Sequence, residues 1–302
     1  MFMEGGLRPN FENSPLPDEI SAARKLVIAE SLMKFEDPSN HLQELSKRIQ
    51  EGALPIIVSN HDHHANVAGM MGIVRRLTAR PNKFNFPVAF SMFNGDQGQE
   101  IQKNANGMKP ILEKSGMPFI PVLRPKDIKE YYGEGKKSDA QKEIDIKESN
   151  RNLFKMLKEI KDDTGVILFP EGTIQGGRKD DSGNKFGMQK VDNDLLATVI
   201  EMAIKNRRVP VILPVGMVNT DRIVEPGETS PTLRAKLAFG TQIAVGRIGI
   251  HPTVAGVRIG NLITQEDFQK NGIDFGDKEN VTSFVMRRIA ELVPEEARGA
   301  YK

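Results

Sequence analysis

Short apolar runs alternate with helical patterns along most of the chain, and this alternation is the feature that most restricts the fold. The apolar runs predict strands at 53–59, 86–92, 118–123, 165–169 and 209–215. Apolar residues at helical spacing predict helices between them at 66–80, 99–115, 145–162 and 190–206. Strands that alternate with helices form mainly parallel sheets with helices on both faces. We therefore expect an α/β fold with a mixed, mainly parallel sheet flanked by helices.

The ends of the chain extend this pattern. Helical segments at about 18–35 and 40–51 predict a small N-terminal helical element. We accordingly divide the chain into an N-terminal tail and helical element over 1–51 and an α/β domain over 52–302. The last third predicts strands near 233–245 and 254–262 and a helix near 278–292.

Composition excludes several classes of function. The 302 residues carry a formal net charge of only +2, which gives no general case for nucleic-acid binding. The absence of cysteine excludes disulfides, thiolate zinc sites and a cysteine nucleophile. No basic segment followed by an apolar core begins the chain, and no apolar run approaches the length of a membrane span. We expect neither a signal peptide nor a transmembrane helix.

A polar cluster with three histidines follows the strand predicted at 53–59. Ligands of parallel sheets bind at the carboxyl ends of strands, which is where this cluster falls. His61 can act as a general base near neutral pH if a second group orients its ring, and Asp62 and Asn66 are the candidates. The same polar residues could instead cap the next helix. A third interpretation is a metal site built from His61, His63 and His64.

Three further motifs end or form predicted strands. Phe169-Pro-Glu-Gly-Thr173 places the Glu171 carboxyl group on a tight turn after an apolar run. Arg124 follows the strand at 118–123, and an arginine there is well shaped to bind a phosphate. The segment 209–215 carries Pro210 and Pro214, each of which lacks an N–H donor, so we expect an edge strand or one that passes near a site.

The order and spacing of these motifs resemble the glycerolipid acyltransferase family, which includes glycerol-3-phosphate and lysophosphatidate acyltransferases. The matching pieces are Asn60-His61 with the position five residues on, Gly116-x-x-Phe119-Ile120, Phe169–Thr173 and Val209–Val215. The resemblance covers about residues 55–216. Residues 147–160 also look like the helix that precedes Phe-Pro-Glu-Gly in the soluble plastid-type enzymes.

The resemblance implies transfer of an acyl group from acyl-CoA or acyl carrier protein to a glycerol hydroxyl, with His61 as the base. It implies no cofactor or metal beyond the acyl donor as co-substrate. Asp62 and Asn66 are then candidates to assist His61. The candidate substrate-binding residues are Glu171, Gly172, Thr173, Arg124, Arg178 and Lys185. The expected location is the cytoplasm or a plastid-like compartment, with peripheral membrane contact left open.

Two positions depart from the family pattern. Asn66 stands where the family has aspartate, and Ile174 stands where it has arginine. Two alternatives to an active acyltransferase therefore stay open. One is a catalytically weak or inactive homologue that binds phospholipid or acyl chains. The other is a metal-dependent hydrolase that uses His61, His63 and His64.

Overall fold

A computed structural model provides the coordinates of the chain. It describes residues 17–61, 65–89, 92–93, 99–123, 127–128, 138–171, 187–191, 193–223, 232, 235 and 254–302. The expected fold class is confirmed, since seven strands form one mixed sheet with helices against it. The predicted strand at 233–245 lies outside the described residues apart from Ala235. The division of the chain at residue 52 stays a prediction.

The described elements follow one another with short connections. The strands are β1 (Met33–Glu36), β2 (Leu54–Ser59), β3 (Lys83–Ala89), β4 (Phe119–Val122), β5 (Thr164–Leu168), β6 (Pro210–Val218) and β7 (Ala255–Ile259). The helices are α1 (Pro17–Ser31), α2 (His41–Gln50), α3 (Asn66–Arg76), α4 (Gln99–Lys114), α5 (Asp139–Glu159), α6 (Leu195–Lys205), α7 (Gln265–Lys270) and α8 (Lys278–Ala290). Short 3-10 turns lie at Thr220–Arg222, Glu295–Ala297 and Gly299–Tyr301.

The strand order is β1-β7-β6-β2-β5-β3-β4, and each neighbouring pair is parallel except β6 with β7. The central strand β2 is buried along its whole length and pairs with β5 on one side and β6 on the other. Its alternate residues point to opposite faces, so Ile57 packs with α1–α4 while Ile56 packs with α5–α8. Burial on both faces explains why the strand reads as an unbroken apolar run.

Three sequence expectations are corrected. The helix predicted at 18–35 ends at Ser31, because residues 33–36 form β1 and pair with β7. The strand predicted at 86–92 runs from Lys83 to Ala89. The strand β6 is not at an edge but lies between β7 and β2.

The prolines of β6 fit an interior strand because of where they fall. Pro210 is its first residue, and Pro214 lies between the ladder with β7 and the isolated bridge of Ile212 to Ile263. The Pro214 carbonyl still accepts the Gly260 N–H at 2.9 Å. A missing donor at this break in the pairing therefore removes no bond of the β6–β7 ladder.

The Arg208 side chain ties together three segments at the amino ends of the strands. Its guanidinium donates to the carbonyls of Gly52 at 3.0 Å, Ala53 at 2.8 Å and Ile160 at 3.2 Å, and also to that of Asp162. Burial lowers the pKa of Arg208, and nearby acidic side chains oppose that shift. The planar fork of arginine is needed because the four acceptors lie in different directions.

We predict that Arg208→Lys lowers the free energy of unfolding by about 1–3 kcal/mol, because one ammonium cannot reach all these carbonyls. Chemical denaturation monitored by circular dichroism measures the loss. Arg207→Lys is the matched control, since Arg207 is the exposed neighbour. Equal stability of the two variants would show that the guanidinium bonds contribute nothing measurable.

Candidate active site

The candidate site lies at the carboxyl end of β2, in the middle of the sheet. The buried Asn60 side chain fixes this end by pairing with the main chain of β6. Its Oδ1 accepts the Met217 N–H at 2.7 Å, and its Nδ2 donates to the Met217 carbonyl at 3.1 Å. One amide thus acts as both donor and acceptor, as a further residue of the strand ladder would. This anchor fixes the main chain directly before His61.

Two contacts with the segment after β5 hold His61. Its ring stacks on Phe169, with centroids 4.1 Å apart and planes inclined by 14°. Its main-chain N–H donates to Oε1 of Glu171 at 3.2 Å. The stacked phenyl ring restricts the plane of the imidazole, and the hydrogen bond restricts its main chain. The end of β5 therefore positions the histidine at the end of β2.

The Glu171 carboxyl group is buried and bridges two other segments. Oε1 accepts from His61, and Oε2 accepts the main-chain N–H of Gln189 at 2.9 Å. Each oxygen thus satisfies a main-chain donor, which a buried carboxyl group requires. Glu171 is expected from the sequence to bind substrate, and these bonds give it a positioning role. Its part in substrate binding stays a prediction.

Asn66 is wholly buried at the first residue of α3. Its Nδ2 donates to the main-chain carbonyl of Asn60 at 3.0 Å and so closes the turn between β2 and α3. An aspartate has no such donor and would direct an oxygen at the carbonyl oxygen. Local structure therefore explains asparagine at this position, whatever its part in catalysis.

The carboxyl-terminal turn supports the site from outside. Met188 donates its N–H to the Ala297 carbonyl at 3.0 Å, and Ala300 donates to the Met188 carbonyl at 2.9 Å. The Tyr301 hydroxyl accepts the Val191 N–H at 3.1 Å. These bonds hold residues 187–191, which carry the N–H of Gln189 that binds Glu171.

The Tyr301 hydroxyl stays protonated at neutral pH. Burial raises its pKa and the nearby Glu171 carboxyl group adds to the rise, while the Val191 N–H acts in the opposite direction. A raised pKa in the folded state means that the stabilisation is complete below the ordinary pKa of tyrosine. It is lost only as the pH rises through the raised value.

The structure brings together three of the residues singled out in the sequence: His61, Asn66 and Glu171. The other candidates lie outside the described residues, and they are Asp62, Gly172, Thr173, Arg124, Arg178 and Lys185. Sequence reasoning missed the roles of Asn60, Gln189 and Tyr301. Two of these act through bonds to or from the main chain of distant residues, and Gln189 acts through its own main chain, so no residue pattern marks them.

The described part of the chain contains no group of three or more His, Cys, Asp or Glu side chains placed to hold a metal. His63 and His64 lie outside that part, so the hydrolase alternative stays a prediction. Among the described helices, none combines the length and apolar character needed to cross a membrane. A scan of protein-family models and a search of curated proteins found no match to the chain.

We predict that Asn66→Asp lowers the free energy of unfolding by about 1–3 kcal/mol, because the buried bond to the Asn60 carbonyl is lost. Denaturant unfolding measures this. Asn271→Asp is the matched control, because the Asn271 Nδ2 makes the same kind of bond, to the Asp267 carbonyl at 2.7 Å, in an exposed position. An Asn66→Asp variant no less stable than Asn271→Asp would contradict the structural role given to Asn66.

We also predict that Gly299→Ala disrupts the carboxyl-terminal support. Gly299 has a φ of +53°, and an added Cβ would lie 2.1 Å from the Met188 carbonyl oxygen. Gly272→Ala is the matched control, since its φ is +65° with nothing within 4 Å of the added Cβ. The control isolates the conformational cost, so Gly299→Ala should lose about 1–3 kcal/mol more. Equal thermal shifts in the two variants would remove the turn from the account.

Proposed function

We propose that the chain transfers a fatty acyl group from a thioester to a hydroxyl group of a glycerol phosphate or a lysophospholipid. The observation that carries this proposal is the 3.2 Å hydrogen bond from the His61 N–H to Glu171. It joins two motifs that are 110 residues apart in the chain and that belong to one site in the acyltransferase pattern. The donor is acyl-CoA or acyl carrier protein.

In the proposed mechanism, the His61 imidazole removes the proton of the acceptor hydroxyl. The oxygen then attacks the thioester carbonyl and forms a C–O bond, giving a tetrahedral intermediate. When the C–S bond breaks, the departing sulfur takes the proton from His61. The imidazole ends neutral, so each turnover consumes one hydroxyl group and one thioester and yields one ester and one thiol.

The geometry around His61 supports this role. Stacking on Phe169 at 4.1 Å fixes the plane of the imidazole, and the Glu171 carboxyl group fixes its main chain. A general base acts efficiently only when it is held within hydrogen-bond reach of its proton. Asp62 and Asn66 remain the proposed assistants of His61. The main chain around Gly172 and Thr173 is the proposed donor to the developing oxyanion.

The acceptor is proposed to bind through its phosphate. Its proposed contacts are the basic residues that follow the second and third motifs, namely Arg124, Arg178 and Lys185. The reaction is proposed to take place in the cytoplasm or a plastid-like compartment, with peripheral contact to a membrane when the acceptor is a lysophospholipid. No nucleic acid takes part.

One observation favours a second candidate, a catalytically weak homologue that binds phospholipid or acyl chains. The family has aspartate where this chain has Asn66, whose nitrogen donates to the Asn60 carbonyl. An amide supplies no full charge to stabilise an imidazolium. In serine proteases the corresponding aspartate-to-asparagine change lowers the rate by about 10⁴. A binding protein would retain lysophospholipid or fatty acid without releasing thiol from acyl-CoA.

We predict that His61→Ala lowers acyl transfer by about 10²–10⁴-fold, the usual contribution of a general base. The assay measures free thiol released from acyl-CoA and acyl carrier protein with a panel of glycerol acceptors. Circular dichroism checks that the fold is retained.

His41→Ala is the control, because His41 lies at the start of α2, outside the proposed site. It should retain the rate of the wild-type chain. Equal turnover by His61→Ala and the wild type would overturn the mechanism. Thiol release by neither protein, with tight binding of lysophospholipid, would support the second candidate.

A further inference from the structure

The outer face of α5 carries an exposed stripe of basic and apolar side chains that the proposed mechanism does not use. The stripe consists of Ile144, Lys147, Arg151, Phe154 and Lys158. Its members are three or four residues apart, so they lie within about 80° of one another around the helix and span about 21 Å along it. The buried residues Asp145, Ser149 and Met156 face the opposite side.

The apolar members of the stripe are unusually exposed. Phe154 is 69% exposed and Ile144 is 56% exposed, although large apolar side chains are normally buried. The cations of the stripe are exposed too. Lys147 pairs with Glu143 at 2.7 Å, whereas within the described part of the chain Arg151 and Lys158 form no ion pair. An exposed phenylalanine beside such cations is typical of an interaction surface.

The stripe starts near the candidate site. The Ser149 hydroxyl accepts the N–H of Leu123, the residue after β4, at 2.7 Å. At the other end, Glu159 pairs with Lys83, the first residue of β3, at 3.0 Å. The helix therefore runs from the edge of the sheet that holds His61 toward the opposite edge. Ile144 and Lys147 lie at the edge that holds the site.

The pattern fits an acidic protein better than a membrane. A helix that lies on a membrane buries a continuous apolar face. Here cations separate the two apolar residues, and Glu143 and Glu148 flank the stripe. Those carboxylates would be repelled by an anionic bilayer. A protein that presents separate carboxylates can instead meet each cation in turn while Phe154 and Ile144 fill the gaps between them.

We propose that this stripe docks an acidic carrier protein that delivers the acyl thioester to the edge of the sheet. The proposal rests on the acyl transfer proposed above, and it favours a protein-bound donor over acyl-CoA. Complementary charge should speed association and make the affinity fall as salt rises. No covalent step occurs at the stripe itself.

The test measures binding of a fluorescently labelled acyl carrier protein by anisotropy. Arg151→Glu with Lys158→Glu, and Phe154→Ala separately, should each weaken binding by about tenfold or more, since buried arginine and aromatic contacts dominate such interfaces. The matched control is Lys109→Glu with Lys114→Glu on α4, which makes the same charge change among exposed residues on the opposite face of the sheet. It should bind like the wild type.

A parallel assay compares kcat/KM for the carrier-bound thioester with kcat/KM for acyl-CoA. The ratio should fall by a similar factor in the stripe variants and hold in the control. Absence of carrier binding to the wild type, or equal binding by all variants, overturns the docking surface. If acyl-CoA is still turned over in that case, the proposed function stands without it.

Two other outcomes are also decisive. Carrier binding that depends on the stripe, with no transfer from either thioester, supports the surface and contradicts the acyl-transfer proposal. Stripe-dependent binding to vesicles of phosphatidylglycerol and phosphatidylcholine, without carrier binding, overturns protein docking in favour of a membrane contact.

Discussion

The parallel pairing of β2 with β5 on one side and β6 on the other is the constraint on which the candidate site depends. It brings the carboxyl ends of three strands to one edge of the sheet. His61 follows the first of these strands, and Phe169 and Glu171 follow the second. Met217, near the end of the third, binds Asn60. Side chains far apart in the chain thereby meet without a bound ligand to collect them.

Neutral amides and one buried carboxyl group hold this edge together. Asn60 pairs with the main chain of β6, Asn66 closes the turn into α3, and Glu171 accepts two main-chain donors. Each bond fixes main chain, so the site is assembled before any substrate arrives. A base that is already oriented needs less reorganisation in the transition state. The account therefore bases catalysis on position more than on a charge beside the imidazole.

The fold was largely predictable because strands buried on both faces read as unbroken apolar runs, as in β2 and β6. The errors fall where tertiary pairing decides. Residues 33–36 look helical in sequence, and they form β1 only because β7, more than two hundred residues later, offers an edge. The start of β3 was missed because Asn85 is polar, yet it is buried and donates to Glu159 at 3.3 Å.

The candidate site was predictable only where a side chain follows a strand. His61 and Glu171 both do, so their motifs could be recognised. The support from Gln189 and the carboxyl-terminal turn consists mostly of main-chain bonds, which any residue type can make. Gly299 left the one readable signal, since its φ of +53° favours glycine. Nothing in the sequence links that glycine to a segment more than one hundred residues earlier.

The most direct test of the central claim is the product balance of the wild-type chain. The chain is incubated with an acyl thioester and either glycerol 3-phosphate or a lysophospholipid, and free thiol and acylated acceptor are both quantified, the latter by mass spectrometry. The account predicts equal amounts of thiol and ester, and no thiol release without an acceptor. Thiol release that yields only free fatty acid, or no release with any acceptor, would contradict it.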